Sequence, residues 1–201
     1  MNYFLRFGAY LLHPLLMPLI GALTYYIITP RFIDSEVIRA KLFAIAIITI
    51  FVPIVLFLLL KNLGWISSIE LKNVNERKIP LMLQCILLLL IIKVVYNPYE
   101  NPEMYYFFVG ILFSSISALI LVLFKLKVSL HQMGIAGVTF FLIALSVHFQ
   151  VNMLFWIGLF ILGNGWVASS RLHTHSHTYP ELILGFFMGT VPQLLMLNFW
   201  L

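Results

Sequence analysis

Charge is scarce in this chain. Of its 201 residues only 12 are Lys or Arg and 7 are Asp or Glu, where a soluble domain of that length carries roughly 50 charged residues. A compact water-soluble fold cannot cover its surface with so few. The shortage excludes an ordinary cytosolic enzyme, a disordered chain and a DNA-binding domain of the usual charge-rich kind. Cysteine is nearly absent as well. Cys85 is the only one, so no intramolecular disulfide is possible, and its place inside an apolar run reads as a small packing residue. Also missing is the period-two alternation of apolar and polar residues that marks an outer-membrane barrel. No internal repeat, low-complexity tract or linker divides the chain, so 1–201 reads as a single transmembrane domain.

Long continuous apolar runs are what the sequence has instead: 62% of the residues are hydrophobic. They predict an all-α polytopic membrane protein, a bundle of about seven (six to seven) transmembrane helices. The spans fall at about 8–29, 42–60, 81–96, 104–124, 134–149, 151–168 and 182–201. Pro14 and Pro18 kink or break the first one, and Pro53 lies inside the second. The first stretch is too long for a signal h-region and has no small-residue cleavage site, so it is read as a retained span. The bilayer is thus the first expected partner. The net charge of +5 belongs to loops, where it sets topology or holds anions, and implies no nucleic-acid partner.

Counting spans sorts the loops by side. Arg6, Lys61, Lys72, Arg77, Lys78, Lys125, Lys127 and Arg171 fall on one side, and Arg31, Arg39, Lys41 and Lys93 on the other, offset by Asp34, Glu36, Glu100 and Glu103. The positive-inside rule would make the first side cytoplasmic, a margin that nearly vanishes if several of those bases serve chemistry. Lys125 and Lys127 read as snorkelling ends of the fourth span. Ser114, Ser115 and Ser117 read as helix-packing residues, and His148 and Gln150 as interfacial residues of the second side.

Three polar clusters share the first side: 72–80 with Lys72, Arg77 and Lys78, 128–131 with Ser129 and His131, and 169–181 with Ser170, Arg171, His173, His175, His177 and Glu181. Each precedes a span, so three helix N-termini would point at one place, where free N–H groups favour an anion. Arg offers a planar fork of donors to phosphate oxygens and Lys a point charge. A nucleophilic imidazole needs a partner to fix its tautomer, and Glu181 stands one helical turn after His177. Such a pocket suits phosphate chemistry.

These residues resemble the motifs of the type 2 phosphatidic acid phosphatase family, which are K-x6-R-P, P-S-G-H and S-R-x5-H-x3-D. Ser170-Arg171, His177 and Glu181 reproduce the third spacing, with Glu for Asp, and Gly185 and Gly189 look like the small residues of the family's last helix. Ser129 and His131 match the second motif in two of four places, with Val128 for proline and Leu130 for glycine. In the first, counting from Lys72 puts Ile79 where arginine is usual, followed by the expected Pro80. The His13-Pro14 pair with Pro18 also resembles a compact bacterial membrane branch of the family.

The resemblance implies a membrane lipid phosphate phosphatase or pyrophosphatase of the bacterial inner membrane. Its substrate would be a phosphatidate, phosphatidylglycerol phosphate or polyprenyl diphosphate, and it would work without metal or other cofactor. His177 would be the nucleophile, Glu181 its orienting partner and His131 the acid and base. Lys72, Arg77, Lys78, Ser129, Ser170 and Arg171 would hold the substrate. Family members usually place this site on the outer face, against the lean of the charge count. Two alternatives stay open: a degenerate relative that binds or moves phospholipid without hydrolysis, and a metal-dependent enzyme using His173, His175 and His177.

Overall fold

The computed structural model describes residues 2–67, 71 and 73–201. Among them the chain forms eight helices and no strand. They are α1 (Asn2–Leu11), α2 (Met17–Ile28), α3 (Ser35–Asn62), α4 (Val74–Val95), α5 (Pro102–Leu123), α6 (Leu130–Phe149), α7 (Leu154–His173) and α8 (Tyr179–Leu197). Five of these, α3, α4, α5, α6 and α8, are long and apolar enough to cross a membrane. The coarse expectation of a helical membrane bundle is met, with five such helices rather than the six or seven read from the apolar runs.

The difference has local causes. The first apolar stretch is two helices. A proline lacks the N–H that closes a turn and its ring clashes with the preceding carbonyls, and Pro14 lies in the break while Pro18 takes the first turn of α2. Twelve residues of α2 rise only about 18 Å, short of a hydrocarbon core of about 30 Å. The 20 residues of α7 are long enough, but its second half carries Asn164, Ser169, Ser170 and Arg171. Pro53 does not break α3. A π turn at Ile47–Phe51 precedes it and takes up the missing bond.

α6 is the axis of the bundle. It packs against α2, α5, α7 and α8, whereas α3 touches mainly α2 and α4. Burial follows: 61% of the apolar window of α6 is buried against 11% for α3, so α3 turns its apolar surface outward, as a lipid-facing helix does. Glycine sets the closest contact. A Cβ at Gly185 would stand 2.6 Å from the Ser129 carbonyl, and one at Gly189 would strike the Met133 carbonyl. The backbones of α6 and α8 therefore touch, as small residues allow between membrane helices. Of the three serines read as packing residues, Ser114 and Ser115 are buried, with Ser114 Oγ donating to the Gly110 carbonyl at 3.0 Å, and Ser117 is half-buried.

The end of the bundle formed by the α2–α3 loop, the start of α5 and the end of α6 is closed by a buried carboxylate. Glu103 has no exposed side-chain surface. Arg31 donates to both its oxygens, at 2.6 and 3.3 Å. Tyr25 Oη donates at 3.3 Å and His148 Nε2 lies 3.2 Å away. Lys41 bonds Asn101 Oδ1 at 2.7 Å beside them. Burying a charge is tolerated when it is paired and hydrogen-bonded throughout, and this one is. His148, read from the sequence as interfacial, is thus one of the groups that hold it.

Candidate active site

At the opposite end the starts of α4, α6 and α8 meet, and backbone and side-chain bonds join all three. Arg77 Nη1 donates to the Val128 carbonyl at 2.9 Å. Lys127 Nζ donates to the Ser176 carbonyl at 2.6 Å. The Ser129 N–H donates to the Glu181 carbonyl at 3.2 Å. The three polar clusters that span counting assigns to one side are therefore neighbours in space.

The loop from α7 to α8 is shaped by two helix ends. α7 closes in a Schellman arrangement: the Ser176 N–H bonds the Arg171 carbonyl and the His175 N–H the Leu172 carbonyl, both at 3.0 Å. His175 takes the left-handed position, φ 50°, that glycine usually fills. α8 then opens with a capping box, Thr178 paired with Glu181. Between the two ends His177 is turned inward and buried, while His173 and His175 remain exposed. The three imidazoles thus do not converge, and no group of three His, Cys, Asp or Glu side chains able to hold a metal forms among the described residues.

His177 Nδ1 lies 2.6 Å from Glu181 Oε2. A carboxylate only accepts, so Nδ1 carries the proton and Nε2 is left with its lone pair. Burial disfavours the imidazolium first; the Lys127 and Arg77 charges push the same way and the Glu181 hydrogen bond opposes them, leaving His177 lowered to about 4. At neutral pH it is an uncharged imidazole with a free Nε2. Glu181 Oε2 also accepts from the Thr178 N–H at 3.3 Å and lies 4.0 Å from Lys127 Nζ. One carboxylate caps the helix, orients the imidazole and answers a lysine.

His131 sits in the first turn of α6, with Arg171, His177 and His13 near enough to act on it electrostatically. Ser129 caps α6, its Oγ accepting from the Gln132 N–H at 3.4 Å, and is fully buried. Ser170 is equally buried, and its Oγ has no hydrogen-bond partner among the described residues. Arg77 is buried and commits Nε to the Leu71 carbonyl at 2.9 Å besides the bond to Val128. It ties loops together before it offers anything to a ligand. Lys78 is half-buried, directly after the 3₁₀ turn Val74–Arg77 that opens α4. Lys72, the head of the first motif, lies outside the described residues.

Three features of the site were not legible as such. Lys127, read as a snorkelling helix end, turns its ammonium toward the α7–α8 loop; only its place two residues before Ser129 hints at this. His13, in the break between α1 and α2, packs edge-on against His131 with ring centroids 5.0 Å apart. Its signal was an ionisable residue beside helix-breaking prolines inside an apolar stretch. Beneath the site Gln132 Nε2 bonds Asn164 Oδ1 at 2.8 Å, and Asn164 Nδ2 bonds Thr139 Oγ1 at 2.8 Å, locking α6 to α7.

An apolar cavity of about 590 Å³ opens beside the site between α1, α6 and α7, lined by Phe4, Leu12, Ile135, Phe160, Trp166 and Ser169 among others. Leu12 and Ser169 are its links to His13 and to Ser170-Arg171. Compared with known proteins, the chain matches no family model, no curated protein and no solved structure.

Proposed function

We propose that this protein is an integral membrane hydrolase of lipid phosphates, a phosphatase or pyrophosphatase that works through a phosphohistidine and is similar to the type 2 phosphatidic acid phosphatases. The observation that carries the reading is the buried His177 with Glu181 Oε2 2.6 Å from its Nδ1. His177 Nε2 attacks phosphorus and the bond to the leaving oxygen breaks. That oxygen takes a proton from His131. Water then cleaves the phosphorus–nitrogen bond, giving its proton to His131, and inorganic phosphate leaves with His177 restored. Arg171, Lys127 and Lys78, with Lys72, hold phosphoryl charge that persists through both steps. Ser129 and Ser170 line the pocket.

A lipid substrate follows from surroundings. The site lies at the end of an apolar bundle, and the neighbouring cavity of about 590 Å³ takes a hydrocarbon chain while the phosphate rests among the cations. In this reading the α1–α2 pair and α7 complete seven crossings in a bacterial inner membrane. Purified protein in detergent is expected to release phosphate from at least one member of a panel of phosphatidate, phosphatidylglycerol phosphate and polyprenyl diphosphate in EDTA, and His177→Ala to abolish release. No release from the panel refutes the proposal.

One observation favours a second reading. Arg77 spends two donors on the Leu71 and Val128 carbonyls, and Val128 and Leu130 depart from the family pattern. A protein that binds or moves a phospholipid without cleaving it needs only the cations. Saturable binding of a lipid phosphate without product identifies it.

A further inference from the structure

The break in the first apolar stretch does more than interrupt a helix. Non-helical backbone at membrane depth is tolerated where it is buried in protein or lines a cavity. Here it lies against the start of α6: Pro14 and Met17 both pack on the open face of Gly134, one turn beyond His131. The same segment reaches the His131 ring twice. From the last turn of α1, the Ala9 carbonyl lies near enough to that ring to act on it. From the break, the His13 ring meets it at an interplanar angle of 83° and a centroid distance of 5.0 Å.

His13 is itself held. The Leu15 N–H donates to His13 Nδ1 at 3.3 Å, so in the neutral ring that nitrogen is the acceptor and Nε2 carries the proton. An edge-on pair at this separation is a favoured arrangement of two aromatic rings, and no hydrogen bond joins these two imidazoles among the described residues. His13 therefore acts on His131 by shape. A histidine ring that turns over about its Cβ–Cγ bond exchanges the places of Nδ1 and Cδ2 and those of Nε2 and Cε1. For an acid–base group that exchange replaces a nitrogen facing the substrate with a carbon.

We propose that the α1–α2 break is a clamp on His131, with His13 as a positioning residue whose ring blocks that turnover while the Ala9 carbonyl selects the nitrogen that keeps its proton. The proposal rests on the phosphotransfer reading for its kinetic consequence, but the clamp is measurable without turnover. The other groups facing His131 are Arg171 from α7 and His177 from the α7–α8 loop.

The decisive variant is His13→Asn. The Asn Oδ1 occupies the place of His Nδ1 and still accepts the Leu15 N–H, as Asn does two residues ahead of a turn N–H, so the break keeps its cap and loses only the ring. Thermal unfolding in detergent checks that the fold persists. Two readouts follow. Phosphate release is expected to show kcat lowered by about 10- to 100-fold with KM held, a loss of some of what an aligned acid–base group contributes. Nitrogen-15 spectra of histidine-labelled protein are expected to show His131, assigned by its disappearance in His131→Asn, as one tautomer in the wild type and as a mixture in His13→Asn. His13→Phe, which returns a ring edge, is expected to recover some of the lost kcat.

A folded His13→Asn protein with wild-type kcat and a single His131 tautomer overturns the clamp. If the wild type cleaves no lipid phosphate, the phosphotransfer reading fails and the spectra alone decide: a mixture in His13→Asn upholds the clamp, and an unchanged tautomer overturns it.

Discussion

Replacing Glu181 with Gln separates two duties that the carboxylate performs at once. As the third residue of α8 it belongs to a capping box with Thr178, and Gln serves that box as well as Glu does. The stability cost is then confined to losing a negative charge at a helix N-terminus, about 0.3–1 kcal/mol. The duty toward His177 cannot be shared so easily. A hydrogen bond to a charged group contributes about 1.5–3 kcal/mol, which at about 1.4 kcal/mol per decade sets a loss of roughly 10- to 150-fold. Gln can also present its amide N–H₂ to Nδ1. That moves the imidazole proton to Nε2, the attacking atom, and the loss then approaches the ~10⁴-fold seen when a triad carboxylate becomes an amide. The expected result is near-wild-type thermal unfolding with kcat down at least tenfold, read as phosphate release from a saturating lipid phosphate in one detergent. The reasoning is refuted if Glu181→Gln unfolds at the wild-type temperature and loses less than tenfold, for then Glu181 is a helix cap alone. A collapse of stability matching the loss of activity would refute it from the other side.

Two more outcomes follow. Because His177 is lowered from 6.5 to about 4, the unfolded chain binds a proton there more readily than the folded one; stability should be level above about pH 6.5, fall as pH drops toward 4, and fall less in His177→Gln, as a pH series of unfolding temperatures will show. Glu103→Gln leaves the Arg31 cation facing a neutral group where a fully buried carboxylate had paired with it. Removing one partner of a buried pair costs about 3–5 kcal/mol, here toward the lower end since Arg31 is 40% exposed, and the unfolding temperature should drop while phosphate release by the folded fraction is unchanged.

Composition pointed to a membrane protein, because 19 charged side chains among 201 residues cannot cover a water-soluble fold, and the long continuous apolar runs made it a helical bundle. The convergence of the described parts of the 72–80, 128–131 and 169–181 segments was legible too, since the parity of crossings decides which loops share a side. So was the His177–Glu181 contact. Its partners are four residues apart, and the turn between them is dictated by Pro180 and the capping box. The number of membrane-crossing helices was not, because hydropathy does not see where Pro14 and Pro18 divide a single apolar stretch into two helices. Contacts between distant regions of the chain were also beyond reach: His13 with His131, Lys127 with Ser176, Arg31 with Glu103. Each depends on how far a helix is rotated about its axis against its neighbour. That rotation is decided by close packing, such as Gly185 and Gly189 against α6, and a side chain one position away around the helix would point to lipid instead.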